Sequence, residues 1–181
     1  MSRIIAAFNM TLDGICDHTA GLPDVEVHQY YTDLLSQGDA ILYGRTTYQL
    51  MEYWRDFLEQ PSEDASMNAF ARAIDKIPKI VFSRTLKTLD WSTASLATQA
   101  LKVTILNLKQ QTGKNIYIGS RSLILQLMQM NLIDEYQLCI YPLIQGCGQP
   151  LFEQTGQRTI LKLLKTKTFK EGAIILYYEP K

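Results

Sequence analysis

Two places in the sequence set glycine, hydroxyls and an arginine directly after an apolar strand: Ile41-Leu42-Tyr43-Gly44-Arg45-Thr46-Thr47-Tyr48 and Ile116-Tyr117-Ile118-Gly119-Ser120-Arg121-Ser122. Glycine lets the backbone approach an anion closely, while hydroxyls, main-chain N–H groups and a planar guanidinium donate to its oxygens. At the carboxyl edge of an open α/β sheet this set of groups collects phosphate. A third run, Ile80-Val81-Phe82 leading into Ser83-Arg84-Thr85, ends another strand in the same way. Junctions of this kind, repeated along one chain, imply a nucleotide cofactor.

Other chemistries find little support. The three cysteines, Cys16, Cys139 and Cys147, are odd in number and far apart, with no Cys-x-x-Cys and only His18 and His28 as companions, so no metal site is expected. That usage fits a reducing cytosol, and nothing beside Cys147 would activate its thiol. The turn after the first strand lacks Gly-x-Gly-x-x-Gly, which argues against a Rossmann dehydrogenase, and no Gly-x4-Gly-Lys-Ser/Thr occurs.

The elements that must position these groups follow from periodicity. Apolar runs alternate with helical patterns throughout, the signature of α/β layers. A first strand begins at Arg3 and ends near Asn9, and Thr11-Leu12-Asp13-Gly14 turns the chain. Asp24 is the expected N-cap of a helix through Val25, Tyr31, Leu34 and Leu35, closed by a left-handed Gly38. After a strand over residues 40–43 comes a short helix from Thr46. A further helix, capped by Ser62 with Phe70 and Ile74 on one face, then stops at Pro78. The strand Lys79–Phe82, an extended piece at Leu89-Asp90-Trp91, a helix over residues 98–111 closed by Gly113, and the strand Asn115–Ile118 follow. Leu123, Leu127 and Met130 line one face of the next helix. A long strand over residues 134–141 precedes Gly146-Cys147-Gly148, which reads either as a loop beside the substrate or a subunit contact or, in preference, as a bulge where that strand bends. Residues 160–169 and 173–178 flank Lys170-Glu171-Gly172 as an antiparallel hairpin.

The 181 residues are 46% hydrophobic and 20% charged, enough to bury roughly two-thirds of the unfolded surface in a single domain over residues 1–181. Eighteen basic residues balance eighteen acidic ones and nowhere cluster, so nucleic acid is an unlikely partner by charge. No apolar run approaches the roughly 20 residues of a membrane span, and the strand-like N-terminus is too short for a signal-peptide core.

Taken in order, six motifs resemble the dihydrofolate reductase superfamily. They resemble more closely its branch containing the reductase domain of bacterial riboflavin-biosynthesis deaminase-reductases. The motifs are Thr11-Leu12-Asp13-Gly14, Gly44-Arg45-Thr46-Thr47-Tyr48, Ile80-Val81-Phe82-Ser83-Arg84-Thr85-Leu86, Ile116-Tyr117-Ile118-Gly119-Ser120, Leu132-Ile133-Asp134-Glu135 and Pro142-Leu143-Ile144-Gln145-Gly146-Cys147-Gly148-Gln149-Pro150-Leu151-Phe152. The resemblance implies a dihydrofolate-reductase-like three-layer α/β/α sandwich, with a mixed, mostly parallel central sheet and an antiparallel C-terminal hairpin. It also implies NADPH bound across the carboxyl edge and hydride transfer to a small heterocyclic or imine-like substrate. Gly44, Arg45, Thr46 and Thr47 would serve the cofactor's phosphates, and Ser83 and Arg84 its ribose 2'-phosphate. Gly119, Ser120, Arg121, Ser122 and Leu123 would serve its other half. The branch further implies a homodimer through the C-terminal strands, whose hairpin offers an apolar edge.

Two departures narrow the expectation. True dihydrofolate reductases carry two adjacent glycines joined by a cis peptide where this chain has Gly119-Ser120. Counting back from Gly44 without gaps sets His28 near the helix position that holds their substrate acid, with Glu26 two residues earlier and Asp33 later. Classical folate reduction is thereby disfavoured, and a ribosylaminopyrimidine, a pterin or an unrelated small molecule stay open. Asn9, Asp13, His28, Tyr31 and Tyr48 are the substrate-side candidates, and no residue is assigned as catalytic. Tyr30, Tyr31, Tyr48 and Trp54 could stack on a flat substrate or simply pack on the sheet. A nucleotide-binding or scaffold protein of the same fold, without turnover, is the competing function.

Overall fold

A computed structural model describes residues 1–111, 113–153, 156 and 158–181. One eight-stranded sheet, in the order β4-β3-β2-β5-β1-β6-β8-β7, organises the chain. The strands are β1 (Ile4–Thr11), β2 (Gly38–Gly44), β3 (Lys79–Phe82), β4 (Ala94–Leu96), β5 (Asn115–Ile118), β6 (Glu135–Tyr141), β7 (Leu161–Thr168) and β8 (Ile174–Pro180). Those from β4 to β6 run parallel, and β8 pairs antiparallel with both β6 and β7. The helices are α1 (Val25–Ser36), α2 (Arg45–Met51), α3 (Asp56–Glu59), α4 (Ala65–Lys76), α5 (Leu101–Gln110) and α6 (Arg121–Gln129), with a 3₁₀ turn, Glu52–Arg55, between α2 and α3.

Strand alternation divides the core into two layers. Ile4, Ala6, Leu42, Ile116 and Ile118 face Ile105 of α5 and Leu123, Ile124 and Leu127 of α6. Their neighbours Ile5, Ile41, Tyr43, Tyr117 and Val81 face Leu34 and Leu35 of α1, Tyr48 of α2 and Ile74 of α4. The result is the expected mixed-sheet α/β/α sandwich.

Several boundaries differ from the sequence reading, each for a tertiary or local reason. β1 extends to Thr11 because its pairing with β6 continues as far as Thr11 opposite Tyr141. Asp24 does cap α1, accepting the Val27 N–H at 2.8 Å, but the helix ends at Gln37 in a right-handed conformation. Gly38 instead opens β2, where the Tyr117 ring would lie 2.7 Å from any added Cβ. α4 is capped by Asp64, not Ser62, whose hydroxyl accepts the Asp64 N–H. Trp91 is no strand residue: its indole N–H is drawn to Asp75 Oδ1 at 2.6 Å, and the strand forms three residues later. α5 is shorter than expected and ends before Gly113, which abuts Asp39. Met130 is exposed beyond the end of α6. Gly146 and Gly148 lie in a loop beyond β6, both with positive φ, rather than in a strand bulge. The C-terminal hairpin turns at Gly172 as expected, with φ +86.

Candidate functional site

The carboxyl ends of β2, β3 and β5 lie side by side and bring the three sequence motifs to one edge. Gly44 ends β2 and donates its N–H to Ser120 Oγ at 2.8 Å, so the β2–α2 and β5–α6 junctions are joined directly. A Cβ on Gly44 would come within 3.3 Å of Ser122 Oγ, and one on Gly119 would strike the Tyr43 ring at 2.7 Å. The Tyr43 ring therefore demands glycine at position 119, whereas at position 44 the contact is merely tight and falls on the mobile end of a serine side chain. The Gly119–Ser120 peptide is trans.

Because Ser120 spends its hydroxyl on Gly44, it does not cap its own helix. Its carbonyl accepts from Leu123 and Ile124, and the N–H groups of Arg121 and Ser122 remain at the positive end of α6. The Arg121 side chain turns away, donating from Nε to the Pro150 carbonyl at 2.6 Å and pairing with Glu153 at 3.4 Å. Leu123 is buried in the core, so it offers backbone only. Arg45 and Thr46 are exposed at the start of α2, with Thr47 half-buried. Arg45 reaches the β3 end, where its guanidinium donates to Thr85 Oγ1 at 3.1 Å. Ser83 Oγ accepts the N–H groups of Thr85 and Leu86 and so shapes that loop, while Arg84 projects into solvent. Thr85, read from the sequence only as the last residue of the Ser83-Arg84-Thr85 run, is the link between the two arginine-bearing strand ends.

On the other side of the site, Tyr31 of α1 donates its hydroxyl to Asn9 Oδ1 at the end of β1. That leaves the Asn9 amide N–H groups as donors. Burial holds the Tyr31 phenol well above its usual range, so it stays protonated. His28, one turn earlier, faces α4 and the 3₁₀ turn: its ring stacks on Phe70 and meets the edge of Trp54. Desolvation pushes its pKa down, opposed by the charges of Asp64 and Asp24. Tyr48 is 3% exposed and packs near Trp91, so it serves the core. Glu26 turns to the C-terminal hairpin, accepting the Lys170 N–H at 2.8 Å, and Asp33 is exposed beside Gln29.

Asp13 accepts from Thr11 Oγ1 and from the N–H groups of Gln145 and Gly146, the latter at 2.8 Å. Asp17 likewise accepts from Gln149 N–H at 3.2 Å. Together they latch the loop after β1 to the loop after β6, a pairing continued by the bridge between Ile15 and Pro150. The role of Asp17 had no signal in the sequence, since its partner lies 132 residues away. A separate cleft of about 510 Å³ lies between α1 and α4, bordered by Gly38 and Pro78 at the opposite edge of the sheet, away from the phosphate-collecting groups.

Fold and site together define a dihydrofolate-reductase-like domain whose carboxyl edge gathers glycine, hydroxyl and arginine groups. Within that class, the chain belongs to the RibD C-terminal domain family, which it matches over residues 2–175. It is 32% identical over 180 residues to the uncharacterized protein YyaP of Bacillus subtilis (strain 168), covering 97% of this chain and 94% of YyaP. A crystal structure described as a riboflavin biosynthesis protein from Shewanella sp. PV-4 superimposes with a TM-score of 0.74 at 20% identity, over 100% of this chain and 99% of that one. The riboflavin biosynthesis reductase Rib7 of Saccharomyces cerevisiae gives 0.66 at 14% identity, over 99% and 90%. These structures share the fold, and the family is one of reductase-type domains. No helix among the described residues is long and apolar enough to cross a membrane.

Proposed function

We propose that this protein is an NADPH-dependent reductase acting on a small heterocyclic or imine-like substrate of the ribosylaminopyrimidine or pterin type. One observation carries the reading: Arg45, tied to Thr85, stands beside Ser83 and Arg84 at one end of an edge whose other end is the open N-terminus of α6. That spacing supplies groups for two separate phosphates, as a dinucleotide with a 2'-phosphate requires. The cofactor, when bound, supplies the hydride. The chain's own residues bind and orient: Arg84 and Ser83 select the 2'-phosphate, Arg45 and the Arg121 and Ser122 N–H groups hold the diphosphate, and Asn9 donates to the substrate. Three free thiols accord with a reducing cytosol, and the family resemblance carries the further proposal that the protein acts as a homodimer.

The test is calorimetric titration with NADPH and with NADH, repeated on Arg84→Ala and Arg45→Ala. NADPH should bind more tightly than NADH. Arg84→Ala should weaken NADPH by about 1 to 3 kcal/mol, the range for a lost charged hydrogen bond, and leave NADH unchanged. Arg45→Ala should weaken both. Absence of NADPH binding to the unaltered protein would remove the reading. The lack of a free carboxylate on the substrate side of α1 favours a second one, a nucleotide-binding protein without turnover. It predicts NADPH binding with no oxidation by any aldehyde, imine or dihydropteridine.

A further inference from the structure

His28 belongs to a hydrogen-bonded chain that begins at the N-cap of α4. Asp64, the cap, accepts both the backbone N–H of Ser66 at 2.8 Å and its hydroxyl at 2.6 Å. Ser66 is buried, and its Oγ lies 3.4 Å from His28 Nδ1. The proton order in this chain follows from valence. A carboxylate can only accept, and a hydroxyl has one hydrogen. With that hydrogen on Asp64, Ser66 Oγ is left to accept toward the imidazole, the arrangement that favours the tautomer with its proton on Nδ1.

In the neutral ring Nε2 then holds a bare lone pair. Nε2 has no hydrogen-bond partner among the described residues. It is also absent from the buried polar atoms that lack one, which are the hydroxyls of Tyr48 and Tyr141. The nitrogen therefore meets solvent, even though Phe70 stacks on the ring and Trp54 closes one side. Trp54 sits in the 3₁₀ turn directly after α2, the helix that Arg45 opens. Three residues beyond His28, Tyr31 reaches Asn9 at the end of β1.

We infer that Asp64, Ser66 and His28 form a relay that fixes the tautomer of the neutral His28 imidazole with its proton on Nδ1 and turns Nε2 outward as the hydrogen-bond acceptor on the α1 side of the site. A ligand meeting it must present an N–H or O–H. Asp64 and Ser66 are positioning residues that act through the ring. The charged groups felt by the imidazole are Asp64 from the start of α4 and Asp24 from the start of α1. Both favour the imidazolium, and the aromatic surroundings oppose it. The tautomer stands independently of the reductase reading, whereas the assignment of Nε2 to the substrate side rests on it.

The experiment has three readouts. Long-range ¹H–¹⁵N spectra of the full chain, with exposed His18 as internal reference, should show His28 neutral and protonated at Nδ1 at neutral pH. Ser66→Ala should shift it toward the Nε2-protonated form, and Ser66→Thr, which keeps the hydroxyl, should restore the original tautomer. Diethyl pyrocarbonate, which attacks accessible unprotonated imidazole nitrogen, should label His28 at Nε2 in the unaltered protein, read by peptide mass mapping. NADPH should bind the labelled protein as well as the unlabelled one. A His28 already protonated at Nε2, or one inert to the reagent, would overturn the relay. Labelling that abolished NADPH binding would overturn the substrate-side placement. Failure of the unlabelled protein to bind NADPH would instead strike the reductase reading and leave the tautomer result standing.

Discussion

Lys79 shows how one residue can be wholly internal and still charged. It is 0% exposed, yet its ammonium donates to the carbonyls of Asp75 and Ile77 and to Thr93 Oγ1, and lies 4.0 Å from the centre of the Trp91 ring. All three of its protons are used, and the aromatic face adds a cation–π contact. Burial nonetheless pushes its pKa down to about 8, partly offset by the charge of Asp75. The unfolded chain thus binds this proton more tightly than the native one between about pH 8 and the usual 10.5. Stability from this group rises across that window, and its charging penalty is fully present below it. Half-buried Cys16 and buried Cys139, pushed up to about 11 and 12, act in the opposite sense above pH 9. The useful quantity is therefore the difference between the native protein and Lys79→Met in urea unfolding. From pH 8 to 10 the native protein should gain relative to the variant by about 1 to 3 kcal/mol. A difference that stayed flat would mean the three acceptors and Trp91 hold the ammonium at its ordinary pKa.

Among the elements, the loops after β1 and β6 are joined by main-chain bonds, Leu12 to Leu143, Cys16 to Gln149 and Leu151 to Gly14, and by the carboxylates of Asp13 and Asp17. The Asp13 carboxyl is lowered to about 2, first by the Thr11 hydroxyl and then by the N–H groups of Gly146 and Gln145. A depressed carboxylate contributes stability above its usual 3.8, lost as pH falls through about 2, so the latch is closed at neutral pH. Asp13→Ala should speed hydrogen exchange at Gln145 and Gly146 selectively and leave the amides of β6 unchanged; uniform loosening would show that the loops need no latch. Local rules read well here. The Asp24 cap, the Gly172 turn and the glycine-arginine strand ends all depend on neighbours in sequence, and each was legible. Tertiary causes were not. The glycine at Gly38 answers to the ring of Tyr117, and the Trp91 indole N–H bonds Asp75, 16 residues earlier. Asp64 prevailed over Ser62 as a cap because both fit the local rule. In the site, Arg45 and Thr85 are 40 residues apart and His28 and Ser66 are 38 apart. No periodicity announces either pair, whereas the strand-end motifs that carry the cofactor proposal are contiguous and could be seen at once.

At the scale of the molecule, the C-terminal hairpin has two unlike faces, which decides how two copies would meet. β7 pairs with β8 and forms the sheet edge. One of its faces carries Lys162, Lys165 and Lys167; Lys165 lies over the Tyr177 ring at 4.5 Å, and Lys167 over Tyr30 and Phe169. Two such edges paired antiparallel would set lysines against lysines, the device that protects an exposed strand. The expected apolar edge is thus a charged one. The opposite face is apolar in register across β1, β6 and β8: Met10, Ile140 and Ile174 form one row and Phe8, Leu138 and Leu176 the next, each ending on a threonine of β7, while Tyr136, Tyr178 and Leu163 carry a third row onto β7. Leu163 and Ile174 remain 49% and 36% exposed, with Phe152 and Ile160 exposed nearby. We propose that two copies associate, and that they do so by packing these faces together, at the spacing of about 10 Å at which two sheets interdigitate. Sedimentation equilibrium at micromolar concentration should give twice the 20.7 kDa of the chain. Leu163→Asp combined with Ile174→Asp should return it to the monomer with its circular dichroism intact, because both side chains already face solvent in one copy. Lys165→Glu, on the other face, should leave the dimer unchanged. Dissociation by Lys165→Glu with survival of the double aspartate variant would place the contact at the edge and overturn face packing.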